Sequence, residues 1–320
     1  MPYLARRLLA TIPLLLGITL VCFAVIHLAP GDPTLLMGDF DPKAQANTAM
    51  QQSYGLDKPL WQQYLHWLGN LATFNLGTSL APGNQAVAEK ILTALPTTLY
   101  LNIGGLLFTL LIAIPVGVWA ATRAGRTSDA TLTLVLYLGL AAPGFWLALL
   151  GMQYFGLTLG WVPLSGLNSF GAENWPLPAR LADTLHHLAL PLAVGVVGSV
   201  AGLTRFVRGS MVQALQSDYV LAARAKGCGP IRTLTRHALR NALLPVITIL
   251  GLSLPGLLGG SVIIESIFAL PGLGQLFYTS VMMRDYPTIM ALLTFGAVLT
   301  LLGNLLADLA YALADPRIRN

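Results

Sequence analysis

Residues 98–122 read TLYLNIGGLLFTLLIAIPVGVWAAT, a stretch without a single charged side chain. An α-helix rises about 1.5 Å per residue, so a stretch of this length can cross the hydrocarbon core of a bilayer, which is about 30 Å thick. The whole chain has the same character, with 55% hydrophobic and 10% charged residues and a mean hydropathy of +0.68. Because a soluble domain carries about 25% charged residues, lipid must be the main solvent of this chain.

Five further uncharged stretches flank this one on both sides. A membrane segment must satisfy its own backbone polar groups, so we predict a helix in each stretch. The predicted spans lie at about 8–29, 98–122, 130–152, 187–204, 243–264 and 288–313. The predicted fold class is therefore all-α, a polytopic membrane protein with six transmembrane helices.

Basic residues predict the orientation, because lysine and arginine concentrate on the cytoplasmic side. With both termini cytoplasmic, the inner segments hold 13 of the 18 basic residues: Arg6, Arg7, Arg123, Arg126, the seven between Arg205 and Arg240, Arg317 and Arg319. We therefore expect an N-terminal transmembrane helix in 1–30, an extracytoplasmic loop in 31–97 and a core in 98–320 with a cytoplasmic loop at 205–245. An anionic inner leaflet accounts for these cations, so we expect membrane lipid and not nucleic acid as their partner.

Two uncharged gaps need separate interpretation. The gap from Asp129 to Glu173 is long enough for two spans, but two would turn the basic loop outward, so we expect one span and a surface segment through Trp161. The gap from Lys58 to Glu89 contains polar side chains that are costly in lipid. Its apolar positions instead predict an amphipathic helix at the membrane interface, with Leu60, Trp61, Tyr64, Leu65 and Leu68 on the apolar face.

The inner loop begins with signals for a short helix. Ser217 or Asp218 can cap a helix over 219–226, and Gly227 can end it in the left-handed conformation. The small side chains of this helix allow another protein to approach closely, whereas binding to lipid headgroups is the alternative that charge alone favours.

A second helix is expected to follow the turn at Gly229 and Pro230, since proline suits a first helical turn. Two sets of residues should lie on different faces of this helix. They are Arg232, Arg236 and Arg240 on one face, and Ile231, Leu234, Ala238 and Ala242 on the other.

The runs DYVLAARAKG at 218–227 and RHALRNALLP at 236–245 resemble the "EAA" loop of bacterial ABC importer permeases, most closely the dipeptide/oligopeptide/nickel branch. The general pattern has glutamate before its two alanines, where this chain has Leu221. The resemblance implies the type I importer permease fold and a loop that couples the permease to an ATPase. The implied coupling residues are Asp218, Tyr219, Ala222, Ala223, Ala225, Lys226, Gly227, Arg236, His237, Asn241 and Pro245.

Seven shorter segments resemble the same branch in order and spacing, over nearly the whole chain. They are APGDP at 29–33, YGLDKPL at 54–60, LGTS at 76–79, ESIF at 265–268, PGLG at 271–274, RDYP at 284–287 and DPRIR at 315–319.

The resemblance also implies the partners and the location. The chain would work in the bacterial cytoplasmic membrane with a second, homologous permease, two cytoplasmic ATP-binding subunits and an extracytoplasmic substrate-binding protein. Short peptides would be the cargo, with nickel, glutathione or antimicrobial peptides as the alternatives within the branch.

The lysines argue against nucleotide binding by this chain. A phosphate-binding loop needs Gly-Lys-Ser/Thr at its end, but the four lysines are followed by Ala44, Pro59, Ile91 and Gly227. We therefore expect no cofactor on this chain and ATP on partner subunits. Nothing in the sequence predicts a catalytic or metal site, and Cys22 and Cys228 lack the neighbours of either a disulfide framework or a metal centre.

Three other classes of protein fit the sequence less well. An ion-coupled secondary transporter usually carries ionisable residues at mid-membrane, and the predicted spans have them only near their ends. An intramembrane hydrolase could use Ser253, but no histidine lies at a similar depth to serve as its base. A passive channel would not need the inner loop.

Overall fold

The computed structural model describes residues 2–28, 58–243, 246, 249 and 261–314, and this part of the chain is helical apart from connecting segments and an isolated bridge between Thr78 and Ala86. Two π-helical segments, Met152–Thr158 and Thr233–Leu239, and a 3-10 helix, Ala172–Asn174, interrupt the α-helices. The α-helices are α1 Pro2–Leu28, α2 Leu60–Ala72, α3 Val87–Thr122, α4 Thr127–Ala141, α5 Gly144–Gly151, α6 Leu177–Leu215, α7 Asp218–Ala225, α8 Pro230–Arg232, α9 Arg240–Ala242, α10 Val262–Ile267, α11 Leu273–Met282 and α12 Tyr286–Ala314. The all-α prediction is confirmed for these residues.

Several predictions concern residues outside this description. They are the first part of the outer loop (31–57), the motifs at 29–33 and 315–319, most of the predicted fifth span (243–264) with Ser253, and Pro245.

Length and composition identify the helices that can cross a membrane. Among the described residues, α3, α6 and α12 are long and apolar enough, and the bent pair of α4 and α5 would make a fourth span. The described side chains of α1 form a shorter apolar stretch, Thr11–Ile26. Six spans therefore remain a prediction.

The predicted third span is wrong as a continuous helix. Its two halves, Thr127–Ala141 and Gly144–Thr158, meet at 95°. The break lies at Ala142 and Pro143, where Ala142 is extended, with φ −73° and ψ 125°. A proline disfavours helical backbone at the residue before it, and this is the physical reason for the break.

The described residues form two compact units, each considered by itself. The first lies within Met1–Thr98, Leu258–Val262 and Pro271–Asn320. In it α1 packs on α12 through Phe23 and Ile26 against Ile289 and Met290. The predicted amphipathic helix is present as α2, and its place at the membrane interface stays a prediction. It joins this packing through Tyr64, whose ring lies 5.3 Å from that of Phe23.

A buried carboxylate fastens the LGTS segment (76–79) to the start of α12 within this unit. Asp285 is fully buried and accepts hydrogen bonds from the Ser79 hydroxyl at 2.5 Å, the Leu80 amide at 2.9 Å and the Thr288 hydroxyl at 2.6 Å. The Lys90 ammonium lies 3.3 Å from the same carboxylate. Two motifs that the resemblance singled out, LGTS and RDYP, thus meet at one ion pair.

The second unit lies within Leu99–Leu257 and Ile263–Leu270. Its central element is α6, which runs without a break for 39 residues through Pro191. Leu188, Leu190 and Val194 of α6 form one apolar cluster with residues of α5 and α10. Further along α6, Val207 and Met211 form a second cluster, which includes residues of the inner loop. Because one helix serves both clusters, α6 can act as a rigid rod between them.

Candidate functional site

The helix predicted for the start of the inner loop is present as α7, Asp218–Ala225. Ser217 occupies the N-cap position with extended backbone, as predicted, but no side chain caps the helix. The Ser217 hydroxyl instead donates a hydrogen bond to the Ala214 carbonyl at 2.5 Å, within the turn that ends α6. The expectation of a side-chain cap is therefore wrong, because this bond turns the Ser217 side chain toward the preceding turn and its oxygen accepts no amide of α7.

The end of α7 follows the prediction. Gly227 has φ +80°, in the left-handed region. Its amide bonds to the Arg224 carbonyl at 2.9 Å, and the Cys228 amide reaches back to the Ala223 carbonyl at 3.1 Å. This is the Schellman pattern, in which a glycine closes the last turn and satisfies two otherwise free carbonyls. The chain therefore leaves α7 in a fixed direction.

The two faces of α7 differ sharply. Val220 and Ala223 are buried, and Val220 joins the cluster around Val207 and Met211. Tyr219 and Leu221 are 43% and 51% exposed, although both are large. Five other residues of the predicted site are also exposed: Asp218, Ala222, Ala225, Lys226 and Gly227. The structure thus separates Ala222, which is exposed, from Ala223, which is buried.

The predicted second helix begins at Pro230 in the first turn, but its middle, Thr233–Leu239, is π-helical. A π-helix bonds each residue to the fifth one along, so residues four apart no longer keep one face. Ala238 and Ala242 are buried, while Ile231 is 76% exposed. The expected single apolar face is therefore wrong at Ile231, whose side chain is mostly exposed.

The remaining predicted site residues lie along this second segment. Arg236 and Asn241 are exposed, and His237 is partly buried. The Nε2 atom of His237 lies 4.0 Å from the Cys228 sulfur, and the Asn241 amide donates to the His237 carbonyl at 3.4 Å. His237 therefore lies beside the end of α7, whereas the side chains of Arg236 and Asn241 are exposed to the surroundings of the protein.

An ion pair that the sequence analysis did not predict joins α4 to the last third of α6. Asp129, in the first turn of α4, is 3% exposed. Its two oxygens accept hydrogen bonds from Nε and Nη2 of Arg208, both at 2.6 Å, and the Gly125 amide adds a third donor at 3.1 Å. Such fork-to-fork pairing is among the strongest charged contacts. The partners are 79 residues apart, and no motif or spacing linked them.

Helix α3 packs on the same stretch of α6 without space for a side chain. A Cβ atom at Gly117 would lie 2.8 Å from the Val207 Cβ and 3.0 Å from the Thr204 carbonyl oxygen. α3, α4 and α7 therefore all contact the last third of α6. A displacement of α7 would be passed to α6 and from there to α3 and α4.

Two observations on the described residues concern metal and hydrolytic chemistry. No group of three potential metal ligands occurs in this part of the chain. Ser79 and Lys90 are within hydrogen-bonding distance, at 2.7 Å, as in hydrolases that use a serine and a lysine. However, Ser79 is fully buried and its hydroxyl donates a hydrogen bond to Asp285, so its role in this structure is to hold the segment 76–79 against α12.

Two family models match the chain. "Binding-protein-dependent transport system inner membrane component" matches residues 113–320, and "Binding-prot-dependent transport system membrane comp, N-term" matches residues 1–102.

Similar curated proteins match from end to end. The chain is 45% identical to "Oligopeptide transport system permease protein AppB" of Bacillus subtilis, over 99% of this chain and 98% of that protein. It is 39% identical to "Di/tripeptide transport system permease protein DppB" of Pseudomonas aeruginosa and 36% identical to "Dipeptide transport system permease protein DppB" of Escherichia coli, with the same coverage in both cases.

Proposed function

This chain belongs to the family of binding-protein-dependent transport system inner membrane components, and from this premise we propose that it is the permease subunit of an ATP-binding-cassette importer for short peptides. The observation that carries the proposal is the geometry of α7. This helix is anchored inward by Val220 and Ala223 and presents Tyr219, Leu221 and Ala222 outward. Exposed large apolar side chains mark an interaction surface, and we assign this one to a partner protein because the small side chain of Ala222 beside them allows close approach.

The chain crosses the bacterial cytoplasmic membrane six times in this proposal, with both termini in the cytoplasm. The basic inner loop supports that orientation, since lysine and arginine are retained inside. The working assembly contains a second, homologous permease, two cytoplasmic ATP-binding subunits and an extracytoplasmic binding protein. ATP is bound by the ATP-binding subunits, in keeping with the sequence context of the four lysines here.

Coupling in this proposal is mechanical. ATP-driven closure of the two ATP-binding subunits moves α7, whose buried face carries the displacement into α6. The Asp129–Arg208 ion pair and the tight contact at Gly117 pass it on to α4 and α3. Interfaces packed this closely shift as units and do not deform gradually, so a small movement at α7 can switch the orientation of the spans.

Short peptides are the proposed cargo because the similar proteins are named for oligopeptides, di/tripeptides and dipeptides. A competition assay tests this choice. Uptake of a radiolabelled tripeptide into proteoliposomes should fall when unlabelled dipeptides or tripeptides are added, and should not fall with nickel or glutathione. Competition by nickel or glutathione alone would assign a different cargo.

The coupling role is tested by blocking the outward face of α7. The full assembly is reconstituted in proteoliposomes, and ATP-dependent tripeptide uptake is measured together with copurification of the ATP-binding subunits. Ala222→Trp should abolish both, because a bulky ring would prevent close approach. The protein should still fold, since an exposed substitution changes stability by only about 0.5 kcal/mol.

Ala130→Trp is the matched control, because Ala130 is also an exposed alanine in a helix of the same unit. This variant should keep both uptake and copurification. Full uptake by the Ala222→Trp variant would refute the coupling surface. Uptake without the ATP-binding subunits would show a channel, and uptake driven by a proton gradient alone would show a secondary transporter.

A further inference from the structure

An open groove of about 540 Å³ lies beside the inner loop, at the ends of two long helices. Its walls include Ala121 and Thr122 of α3, Leu215 of α6, Arg224 of α7, and Ile231 and Leu234 of the following segment. We propose that this groove binds one anionic phospholipid of the inner leaflet, with the headgroup phosphate at Arg224 and acyl-chain methylenes against Leu215, Ile231 and Leu234.

The depth of the groove matches the headgroup layer. Two residues near the end of α3 mark that level, since the guanidinium of Arg123 stacks over the Trp119 ring at 4.5 Å. Tryptophan and arginine at the end of a span are the usual anchors at the membrane surface. Ala121 and Thr122 lie between these two residues in sequence and line the groove. The groove therefore opens where a lipid headgroup and the first part of its chains would lie.

The chemistry of the groove fits an anionic amphiphile. Its volume lies within the range of about 300–1,000 Å³ that holds molecules of drug size. Leucine and isoleucine side chains supply an apolar wall, and Arg224 supplies a positive charge. Two more exposed cations outside the predicted coupling residues, Arg232 and Arg240, follow along the loop. Ile231, at 76% exposure, is the bulky apolar residue that an interfacial segment uses to reach lipid.

A lipid explains this groove better than the ATP-binding subunit does. The outward residues of α7 that we assign to that subunit are Tyr219, Leu221 and Ala222, and none of them lines the groove. Arg224 is the residue of α7 that does. The lipid site and the protein surface are therefore adjacent but distinct. The inference relies on the cytoplasmic orientation proposed above and not on the identity of the cargo.

Cys228 also lines the groove and serves as a reporter. The full chain carrying Cys22→Ala is placed in nanodiscs of phosphatidylcholine, or of equal parts phosphatidylcholine and phosphatidylglycerol, without ATP-binding subunits. The rate at which N-ethylmaleimide alkylates Cys228 is then measured. Phosphatidylglycerol should slow alkylation about fivefold, the factor that one arginine near an anionic surface contributes.

Two variants separate a bound lipid from a general surface effect. Arg224→Gln should remove the slowing, whereas Arg232→Gln should retain it, because Arg232 is also an exposed cation but does not line the groove. Slowing that persists in both variants would reflect the anionic surface as a whole and would overturn the proposal.

Three other results would also overturn it. Equal rates in the two kinds of nanodisc would exclude an anionic lipid. Slowing by inorganic phosphate in phosphatidylcholine alone would show a simple anion site. Protection that appears only after ATP-binding subunits are added would assign the groove to the protein interface. Since transport is not measured, failure here would leave the proposed transport function standing.

Discussion

Replacing Asp129 with asparagine should lower the free energy of unfolding by about 2–4 kcal/mol. The carboxylate is 3% exposed and accepts two hydrogen bonds of 2.6 Å from Arg208 and one of 3.1 Å from the Gly125 amide. Asparagine removes the charge and turns an amide donor toward a guanidinium that is itself only a donor. Removing one partner of a buried ion pair costs about 3–5 kcal/mol, and the lower range applies here because the Arg208 side chain is 31% exposed and can recover some hydration.

The measurement is the unfolding free energy of the purified chain in mixed micelles with increasing sodium dodecyl sulfate. Glu173→Gln makes the same chemical change at an exposed carboxylate of the same unit and should have no measurable effect. The double variant Asp129→Asn/Arg208→Gln should be less destabilised than the sum of the two single variants, by about 1–3 kcal/mol, because neither partner is then left alone. If the Asp129→Asn variant were as stable as the parent, the stabilising role of the Asp129–Arg208 ion pair would be refuted. Strict additivity of the two single substitutions in the double variant would refute it as well.

Three further substitutions test other parts of the structure by the same unfolding measurement. Gly227→Ala should lower the free energy of unfolding by about 1–2 kcal/mol, because alanine is strained at φ +80°. Gly229→Ala, at φ −61°, should lower it far less. Similar losses of stability in the two variants would contradict the left-handed conformation of Gly227. Asp285→Asn should cost about 3–5 kcal/mol because it leaves Lys90 beside a neutral amide, while Glu89→Gln at an exposed site should be neutral. Gly117→Ala should cost about 1–3 kcal/mol from overpacking against Val207, and a neutral result would show that α3 does not approach α6 as closely as described.

The features that sequence predicted correctly are those that depend on a short run of residues. The uncharged stretches located α3, α6 and α12, and the apolar periodicity of 60–68 located α2. The left-handed glycine at the end of α7 also followed from local chemistry, because only glycine takes that conformation without strain. Each of these signals lies within one or a few helical turns.

Two errors arose where a local signal competed with another one. Pro143 favours the 95° bend, since proline restricts the residue before it, whereas the hydrophobic length of the gap favours one continuous helix. Ser217 was correctly placed at the helix start, yet its hydroxyl bonds to the preceding turn, a choice that serine side chains make between neighbouring backbone groups. In both cases two local signals conflict, and the tertiary structure decides between them.

The sequence by itself thus determined the apolar character of this protein, its long helices α3, α6 and α12, and the left-handed glycine at the end of α7, because hydrophobicity and turn chemistry belong to neighbouring residues. Only the tertiary structure decided that Ala222 faces outward while Ala223 is buried, that Asp129 pairs with Arg208, and that Ser79 meets Asp285 from 206 residues away. Such contacts depend on which helix faces lie against each other. That choice is made by packing between segments distant along the chain, and no local pattern records it.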